Sequence, residues 1–304
     1  MAGPVVLAGG TGGAKLARGM LDVVGEELTV VANTADDIEV YGAHVSPDPD
    51  LVLFWLADRI DERGWGLAGD TFEVMEGLRE VGEDVWFQLG DRDLAIGIRR
   101  RARLLQGARL TEAIAELRAA LGVTARVLPM SDEPVLTRVR AHGREWPFQE
   151  FMIRARGAGP VEGVEFTGVE AARPPAEVLE AVAGAREIVI GPSNPIVSIG
   201  PILALPGMRE ALREAPAPVV AVSPLVGGQV LKGPTAAFMA WAGHELSSDG
   251  VAAAYDGIVD GLVADRRTGL LPTLETDVLM DGPVGRRRLA EETLDFADAL
   301  ARSA

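Results

Sequence analysis

The sequence has 304 residues, of which 48% are hydrophobic, so it can bury one large core, or one core and a smaller subdomain. Lys and Arg total 29 against 45 for Asp and Glu, which gives a net charge of −16 and argues against a nucleic-acid-binding protein. Cysteine is absent, which excludes disulfides, Fe–S clusters and thiolate chemistry and leaves hard ions such as Mg²⁺ as the expected metals.

Apolar strand patterns alternate with helical patterns along the chain. This alternation is typical of an α/β fold with a doubly wound, mostly parallel sheet of the Rossmann-like kind. The expected strands cover residues 5–8, 28–33, 86–89, 126–128, 187–190 and 219–222. The expected helices cover residues 14–24, 49–61, 110–121, 175–183 and 284–301.

The middle of the chain has a different pattern. Short alternating segments broken by glycines between residues 135 and 168 predict antiparallel hairpins, and so a small α+β region inserted into the main frame. We therefore expect a Rossmann-like core in two parts, residues 1–134 and 171–304, with an inserted β-rich region at 135–170. The chain lacks a bilayer-length apolar run and a basic, hydrophobic leader, so we expect a cytoplasmic protein that does not act at a membrane.

A glycine-rich loop follows the first expected strand and opens the first helix. Backbone amides of Gly10, Thr11, Gly12 and Gly13 can approach an anion closely there, and the start of the helix adds the positive end of its dipole. Lys15 stands where the third glycine of the dinucleotide fingerprint belongs, and no Gly-Lys-Ser/Thr follows, so neither a P-loop nor an ordinary nicotinamide site is favoured. The loop predicts a phosphate cradle; the alternative is a tight turn without a ligand.

Polar residues also follow the other expected strands, where ligands collect in a doubly wound sheet. Asp36 and Asp37 fit a metal or a ribose better than a simple turn. Asp48 before Pro49 is equally well explained as a helix N-cap, and Asp50 is favourably placed against the helix dipole. Structure alone can explain two further segments: residues 90–93 as a capped turn and residues 99–103 as a solvated helix face. The polar segments are residues 33–37, 46–50, 90–93, 129–134, 191–195 and 223–228.

Eight segments in chain order carry a family resemblance: residues 9–16, 33–37, 46–50, 90–94, 128–132, 148–151, 191–202 and 223–224. Together they resemble the 2-phospho-L-lactate transferase family of coenzyme F-420 biosynthesis. The segments at 90–94 and 191–202 are the most specific. Pro49 departs from the leucine that the family often has between the two acids, and the C-terminal end carries no matching motif.

The resemblance implies transfer of a phospho-acid unit, phospholactyl or phosphoenolpyruvyl in type, from a guanosine diphosphate conjugate to the deazaflavin Fo, with release of GMP. The partners would be Fo and a guanylylated 2-phospho acid, and the protein would be a homodimer. Mg²⁺ would bridge the diphosphate, with Asp36, Asp48 and Asp50 as the expected ligands and Asp37 behind them. Asp48 or Asp50 would also accept the proton of the attacking hydroxyl.

The remaining expected contacts follow the same motifs. Asp91 and Arg92 would bind the deazaflavin or its ribityl chain. Which acid the donor carries stays open, with the loops around Ser131 and Ser223 as candidates for reading it. The guanosine and phosphates would bind Gly10, Thr11, Gly12, Gly13, Lys15, Ser193 and Asn194.

Two other functions remain as alternatives. A regulatory nucleotide-sugar-binding protein of the same superfamily would share the glycine loop but perform no transfer, and the segments at 90–93 and 46–50 favour the transferase over it. An NAD-dependent oxidoreductase is already weakened by the incomplete fingerprint.

Overall fold

The computed structural model describes residues 3–302. Residues 1–2 and 303–304 of the two predicted core parts lie outside the described residues. The strands are β1 (Val5–Ala8), β2 (Thr29–Ala32), β3 (Ile38–Val40), β4 (Ala43–Val45), β5 (Arg126–Pro129), β6 (Leu136–Ala141), β7 (Arg144–Pro147), β8 (Val161–Thr167), β9 (Ile188–Ile190), β10 (Val219–Val222), β11 (Leu225–Val226), β12 (Gln229–Val230), β13 (Gly261–Ala264) and β14 (Thr273–Glu275).

The helices are α1 (Gly10–Val24), α2 (Pro47–Leu56), α3 (Glu73–Glu80), α4 (Asp91–Leu105), α5 (Leu110–Ala120), α6 (Phe148–Ile153), α7 (Ala176–Gly184), α8 (Gly200–Ala204), α9 (Met208–Glu214), α10 (Thr235–Trp241), α11 (Ser248–Ala254) and α12 (Gly282–Ala301). Short helical turns also occur at Gly25–Glu27 and Pro195–Ile199. None of the helices within residues 3–302 has the length and apolar character needed to cross a membrane.

The central sheet has seven strands in the spatial order β14-β13-β10-β9-β1-β2-β5, and every pairing in it is parallel. From β1 the chain builds outward through β2 to β5, then returns to β9 on the other side of β1 and builds outward again. The strand order therefore reverses between β1 and β9. In doubly wound sheets this point opens a crevice beyond the carboxyl ends of the strands.

Alternate side chains of each central strand point to opposite faces of the sheet, which divides the core in two. Val5 and Leu7 of β1 pack in one buried cluster with residues of α7, α9 and α11, while Val6 and Ala8 pack in another with α1, α2, α5 and α12. Both faces are covered. This explains why the central strands are continuous apolar runs instead of alternating ones.

Two smaller units are attached to the sheet. The antiparallel sheet β7-β6-β8 falls within the expected inserted region, and α6 lies between β7 and β8. The second unit consists of the β3-β4 hairpin with α3 and α4, and its apolar cluster includes Ala43, Met75 and Leu94. The first unit confirms the expected hairpins; the boundaries of a separate domain at 135 and 170 stay a prediction.

The structure corrects several expected elements. Residues 86–89 do not form a strand; Leu89 packs in the apolar cluster of the second small unit instead. Helix α2 begins at Pro47 with Ser46 as N-cap, so Asp48 lies in its first turn and is not the cap. Residues 99–103 belong to α4, but Arg100 is fully buried, so the expectation of a solvated face is wrong at that residue. The sequence analysis predicts no strand at β3, β4 or β11–β14 and no helix at α3, α6 or α8–α11.

Candidate functional site

The glycine-rich loop lies at the reversal of the strand order and forms the first turn of α1. Gly10 has a φ of 61°, a left-handed conformation that glycine adopts without strain. A side chain at Gly12 would clash with the carbonyl oxygen of Pro192, which follows β9. The Ser193 hydroxyl donates to the Gly9 carbonyl at 2.5 Å. These glycines therefore let the loops after β1 and β9 close against each other at the crevice.

Asp48 fixes the loop from the side of α2. One carboxylate oxygen accepts the Gly10 amide at 2.7 Å, and the other accepts the Asn33 side-chain amide at 2.9 Å. Burial raises the pKa of Asp48 to about 6, although these two hydrogen bonds oppose the rise. One amide of the expected phosphate cradle is thus already bound to a carboxylate.

Asp36 is the second buried carboxylate of the site. Its Oδ1 has no hydrogen-bond partner within the described residues. Burial raises the pKa of Asp36 well above its usual range, and the negative charge of Asp48 raises it further, while Asn33 and Thr137 partly oppose the rise. Asp36 and Asp48 thus repel each other, and one of their oxygens is unpaired. A divalent cation would relieve this repulsion, and carboxylate oxygens are the hard ligands it prefers.

Asp37 points into a separate network. It accepts hydrogen bonds from the Ser46 hydroxyl at 2.7 Å and pairs with His44 Nε2 at 3.0 Å, while His44 Nδ1 pairs with Glu39 at 2.8 Å. Burial lowers the pKa of His44, but the two carboxylates outweigh it and the net shift is upward. The sequence analysis gave His44 no role because a lone histidine carries no signal without its partners.

Asp50 is held by a buried cation. Arg100 of α4 pairs with both oxygens of the Asp50 carboxylate and donates to the His44 carbonyl at 2.9 Å. Asp93 lies beside this pair, and burial together with the charge of Asp50 raises the pKa of Asp93 to about 7, with Arg100 opposing. The structure thus occupies the Asp50 carboxylate, and its role as a metal ligand stays a prediction that no contact supports.

Two cavities open around these groups. The loop cleft, about 570 Å³, is lined by residues 9–12, Lys15, Asp36, Pro47, Asp48, 148–149, Met152, 192–194, 197–198, 223–224, Val226, 230–235 and 278–280. The side cavity, about 550 Å³, is lined by residues 34–39, His44, Leu104, Leu110, 132–138 and 147–150.

The two cavities adjoin. Asp36, Phe148 and Gln149 line both of them. The side-chain amide of Gln149 donates to the backbone carbonyl of Asp36 at 3.3 Å. Among the predicted site residues, the loop cleft brings together Gly10, Thr11, Gly12, Lys15, Asp36, Asp48, Ser193 and Asn194. Gly13 is packed behind it against Ser193. Asp50, Asp91 and Arg92 are not among the residues that line either cavity.

Cations gather at one wall of the loop cleft. Lys15 and Lys232 both line it, and Lys15 lies 5.7 Å from the centre of the Trp55 ring. Burial lowers the pKa of Lys15, and the charges of Lys232 and Arg286 lower it further. An anion bound there would relieve the repulsion among these cations. Lys232 lies two residues after the end of β12, and no motif in the sequence singled it out.

Asp91 and Arg92 lie at the start of α4, where a carboxylate cap is the observed role of Asp91. Its carboxylate accepts the amides of Glu73 at 3.1 Å and Val74 at 3.0 Å, and so caps α3. Asp70 in turn caps α4 by accepting the Arg92 amide at 2.9 Å. The structural reading of this motif is therefore realised, and the predicted contact of Asp91 and Arg92 with Fo stays a prediction.

The strand order and the glycine-rich loop at its reversal define a Rossmann-like α/β protein. A cleft with two buried carboxylates lies at its switch point. The chain belongs to the 2-phospho-L-lactate transferase CofD family, whose family model matches residues 5–278. This confirms the resemblance and disfavours the oxidoreductase alternative.

The relatives of this chain are named as two kinds of phospho-acid transferase. The chain is 44% identical over 265 residues to a 2-phospho-L-lactate transferase of Methanosarcina mazei, which covers 86% of this chain and 87% of that protein. It is 40% identical over 309 residues to a phosphoenolpyruvate transferase of Kitasatospora aureofaciens, with 94% and 96% covered. A crystal structure of a UPF0052 family protein from Bacillus halodurans has the same fold, with a TM-score of 0.63 at 19% identity, and covers 96% of this chain and 98% of that one.

Proposed function

We propose that this protein transfers a phospho-acid unit, phospholactyl or phosphoenolpyruvyl in type, from a guanosine diphosphate conjugate to the deazaflavin Fo and releases GMP, in coenzyme F-420 biosynthesis. The family and the names of its relatives support the phospho-acid part. The observation that carries the two-substrate assignment is the pair of adjoining cavities that share Asp36. A group transfer between two bound molecules needs such a common boundary.

The loop cleft suits the donor. Its glycine-loop amides, Ser193, Asn194 and the cations Lys15 and Lys232 offer hydrogen-bond donors and positive charge to a diphosphate in a chain of strongly negative net charge. Asn194 Oδ1 is occupied by the amides of Ile196 and Val197, so its contribution to a ligand would come from its side-chain NH₂.

The side cavity suits the acceptor. Its lining divides into apolar residues, such as Leu104, Leu110 and Val135, and polar residues, Asp36 among them. A flat heteroaromatic ring with a hydroxylated side chain matches this division, because the ring buries apolar surface and the chain needs hydrogen-bond partners.

In the proposed reaction, a hydroxyl oxygen of Fo forms a bond to the phosphorus that carries the acid, and the bond from that phosphorus to the GMP oxygen breaks. GMP leaves with that oxygen, and the hydroxyl proton passes to a site carboxylate. Asp48 and Asp50 stay the predicted acceptors of this proton, and we add Asp36 to them, because Asp36 lines both cavities and has an unpaired oxygen. Catalysis of such a transfer is chiefly alignment and charge stabilisation.

The residues fit a magnesium ion. Asp36 and Asp48 repel each other and supply hard oxygen ligands. Within residues 3–302, no group of three or more His, Cys, Asp or Glu side chains has the spacing of a metal site, so the protein would provide two carboxylates and the ion would keep places for phosphate and water. When bound, Mg²⁺ would neutralise the developing phosphate charge.

Three finer expectations are retained as part of the proposal. They are binding of Fo by Asp91 and Arg92, the homodimer and the cytoplasmic location. Each derives from the resemblance or from composition, and each stays a prediction.

The test is an incubation of the protein with Fo, a guanylylated phospho acid and Mg²⁺, followed by chromatography of GMP and of the deazaflavin product. We expect one GMP for each Fo converted. Asp36→Asn should lose this turnover, whereas Asp256→Asn, at an exposed position outside both cavities, should keep it. Binding of the nucleotide without GMP release would favour the regulatory alternative and refute the proposal.

A further inference from the structure

The chain contains only two lysines, and both line the loop cleft. Lys15 belongs to α1 and Lys232 lies after β12, whereas every other one of the 29 Lys and Arg residues is an arginine. A lysine carries a compact charge on a flexible stem of four carbons. Fixing such a stem before the ligand arrives lowers the entropy lost on binding. The neighbours that fix Lys15 therefore bear on how well the cleft binds an anion.

The ring of Trp55 in α2 holds two cations. Lys15 Nζ lies 5.7 Å from the ring centre, and the guanidinium carbon of Arg286 in α12 lies 5.0 Å from it. The ring of a tryptophan attracts a cation placed over its face. Trp55 thus connects Lys15 with Arg286, which is not among the residues that line either cavity.

Arg286 has no acidic partner in the described part of the chain. It takes part in no ion pair there, and its Nε is buried without a hydrogen-bond partner. The two acids near it, Asp22 and Asp58, are both paired with Arg18, at 2.5 Å and 2.8 Å. The charge of Arg286 is therefore left to act on its other neighbour, Lys15.

The packing of α12 on α1 fixes the position of Arg286. A side chain at Gly19 of α1 would clash with the Arg286 carbonyl oxygen, so the two helices touch at this point. Lys15 lies four residues before Gly19 and hence on the same face of α1. Because like charges repel, Arg286 drives the Lys15 ammonium away from α12 and toward the cleft that Lys15 lines.

We propose that Arg286 is a positioning residue of the donor site, which directs the Lys15 ammonium, held on Trp55, into the loop cleft toward a diphosphate. This inference rests on the proposed function, which places the diphosphate of the donor in that cleft. The family model ends at residue 278, so the match assigns no role to Arg286.

The first test measures Lys15 itself and needs no ligand. Acetic anhydride reacts with the neutral amine, and peptide mass spectrometry resolves the two lysines as the pH is varied. The charged groups around Lys15 are Lys232 and Arg286, which lower its pKa, and Asp281, which raises it. Arg286→Met should therefore move the pH midpoint of Lys15 labelling upward, and Arg286→Lys should keep it near the wild-type value.

The matched control is Arg287→Met on the same helix. Arg287 is exposed and pairs with Glu291 at 2.8 Å, so its removal changes the net charge equally without touching Trp55. It should leave the labelling midpoint unchanged. Since Arg286 has no acidic partner, Arg286→Met should not lower the Tm, which separates positioning from a structural role.

The second test is calorimetry with GDP and Mg²⁺. We expect Arg286→Met to bind GDP about threefold more weakly than the wild type, and Arg286→Lys and Arg287→Met to bind it equally well. In a Lys15→Met background, Arg286→Met should cause no further loss, because Arg286 acts through Lys15.

The outcomes are distinguishable. If the wild type binds GDP and Arg286→Met changes neither the labelling midpoint nor the affinity, the positioning role is refuted and the proposed function stands. An equal loss of affinity with and without Lys15 would also refute it, because Arg286 would then attract the anion directly. If the wild type binds no GDP, the proposed function itself fails, and the labelling midpoints still decide whether Arg286 acts on Lys15.

Discussion

The ionised carboxylates of Asp36 and Asp48 lower the folding stability of the ligand-free protein. Burial raises the pKa of both, and for Asp36 the repulsion of Asp48 adds to it. A carboxyl with a higher pKa in the folded chain than in the unfolded chain holds its proton more tightly when folded. Its contribution to stability is therefore most favourable at low pH and is lost as the pH rises through the folded-state pKa.

We therefore expect Asp36→Asn to raise the Tm of the metal-free protein at pH 8 and this advantage to shrink toward pH 4, where Asp36 of the wild type is itself protonated. Thermal melts in chelator across this range measure the effect. A gain of about 1 kcal/mol corresponds to about 2 °C in a chain of this size. The exposed control Asp256→Asn should show no such trend. A variant that is less stable than the wild type at pH 8 would contradict the assignment.

Arg100 and Asp50 form a buried ion pair. Arg100→Met would leave Asp50 and Asp93 buried without a cation, and we expect a loss of about 3–5 kcal/mol in the free energy of unfolding. Adding Asp50→Leu should recover much of this loss, because the uncompensated charge is removed. Urea unfolding measures both. Arg99→Met on the same helix should cost less than about 1 kcal/mol, since the Arg99–Glu116 pair is exposed. Equal losses for Arg99 and Arg100 would rule out this account.

At the scale of elements, α3 and α4 cap each other. Asp91 at the start of α4 binds the first amides of α3, and Asp70 ahead of α3 binds the first amides of α4. This exchange fixes the small unit that carries Arg100, so the motif at residues 90–93 has a structural purpose whether or not it also binds a ligand.

Asp91→Asn and Asp91→Ala separate these two roles. The amide keeps an oxygen that can cap, so Asp91→Asn should cost little stability, whereas Asp91→Ala should lower the Tm measurably. If Asp91 also binds Fo, Asp91→Asn should weaken Fo binding with its Tm preserved. Fluorescence titration and thermal melts on the two variants decide this. Normal Fo affinity in Asp91→Asn would leave the residue with capping alone.

Elements with a strong local signal were predictable, and those fixed by distant partners were not. The apolar runs at β1, β2, β5, β9 and β10 could be read directly, because both faces of these strands are covered. Residues 86–89 misled because a short apolar run cannot show whether it pairs in a sheet or packs against a helix. Burial of Arg100 depends on Asp50, fifty positions earlier in the chain.

At the scale of the whole molecule, the sheet provides a rigid frame and the ligand groups lie beyond it. Asp36 lies in the loop after β2 and Asp48 in the first turn of α2, so neither belongs to a strand of the sheet. Ligand or metal removal should therefore change the site and leave the frame folded. The net charge of −16 opposes a polyanionic donor, so its binding depends on local cations and on an added divalent ion.

All the proposed donors contain GDP and differ only in the acid they carry. We predict that GDP binds only weakly without Mg²⁺. Calorimetry with GDP should give at least about tenfold higher affinity in Mg²⁺ than in EDTA, because the ion screens the diphosphate from Asp36 and Asp48. Circular dichroism in EDTA should show an intact α/β protein. Lys15→Met should reduce GDP affinity in both conditions, since Lys15 lines the cleft independently of the ion. Undiminished GDP binding in excess EDTA would show that the glycine loop and the cations suffice, and the magnesium assignment would have to be abandoned.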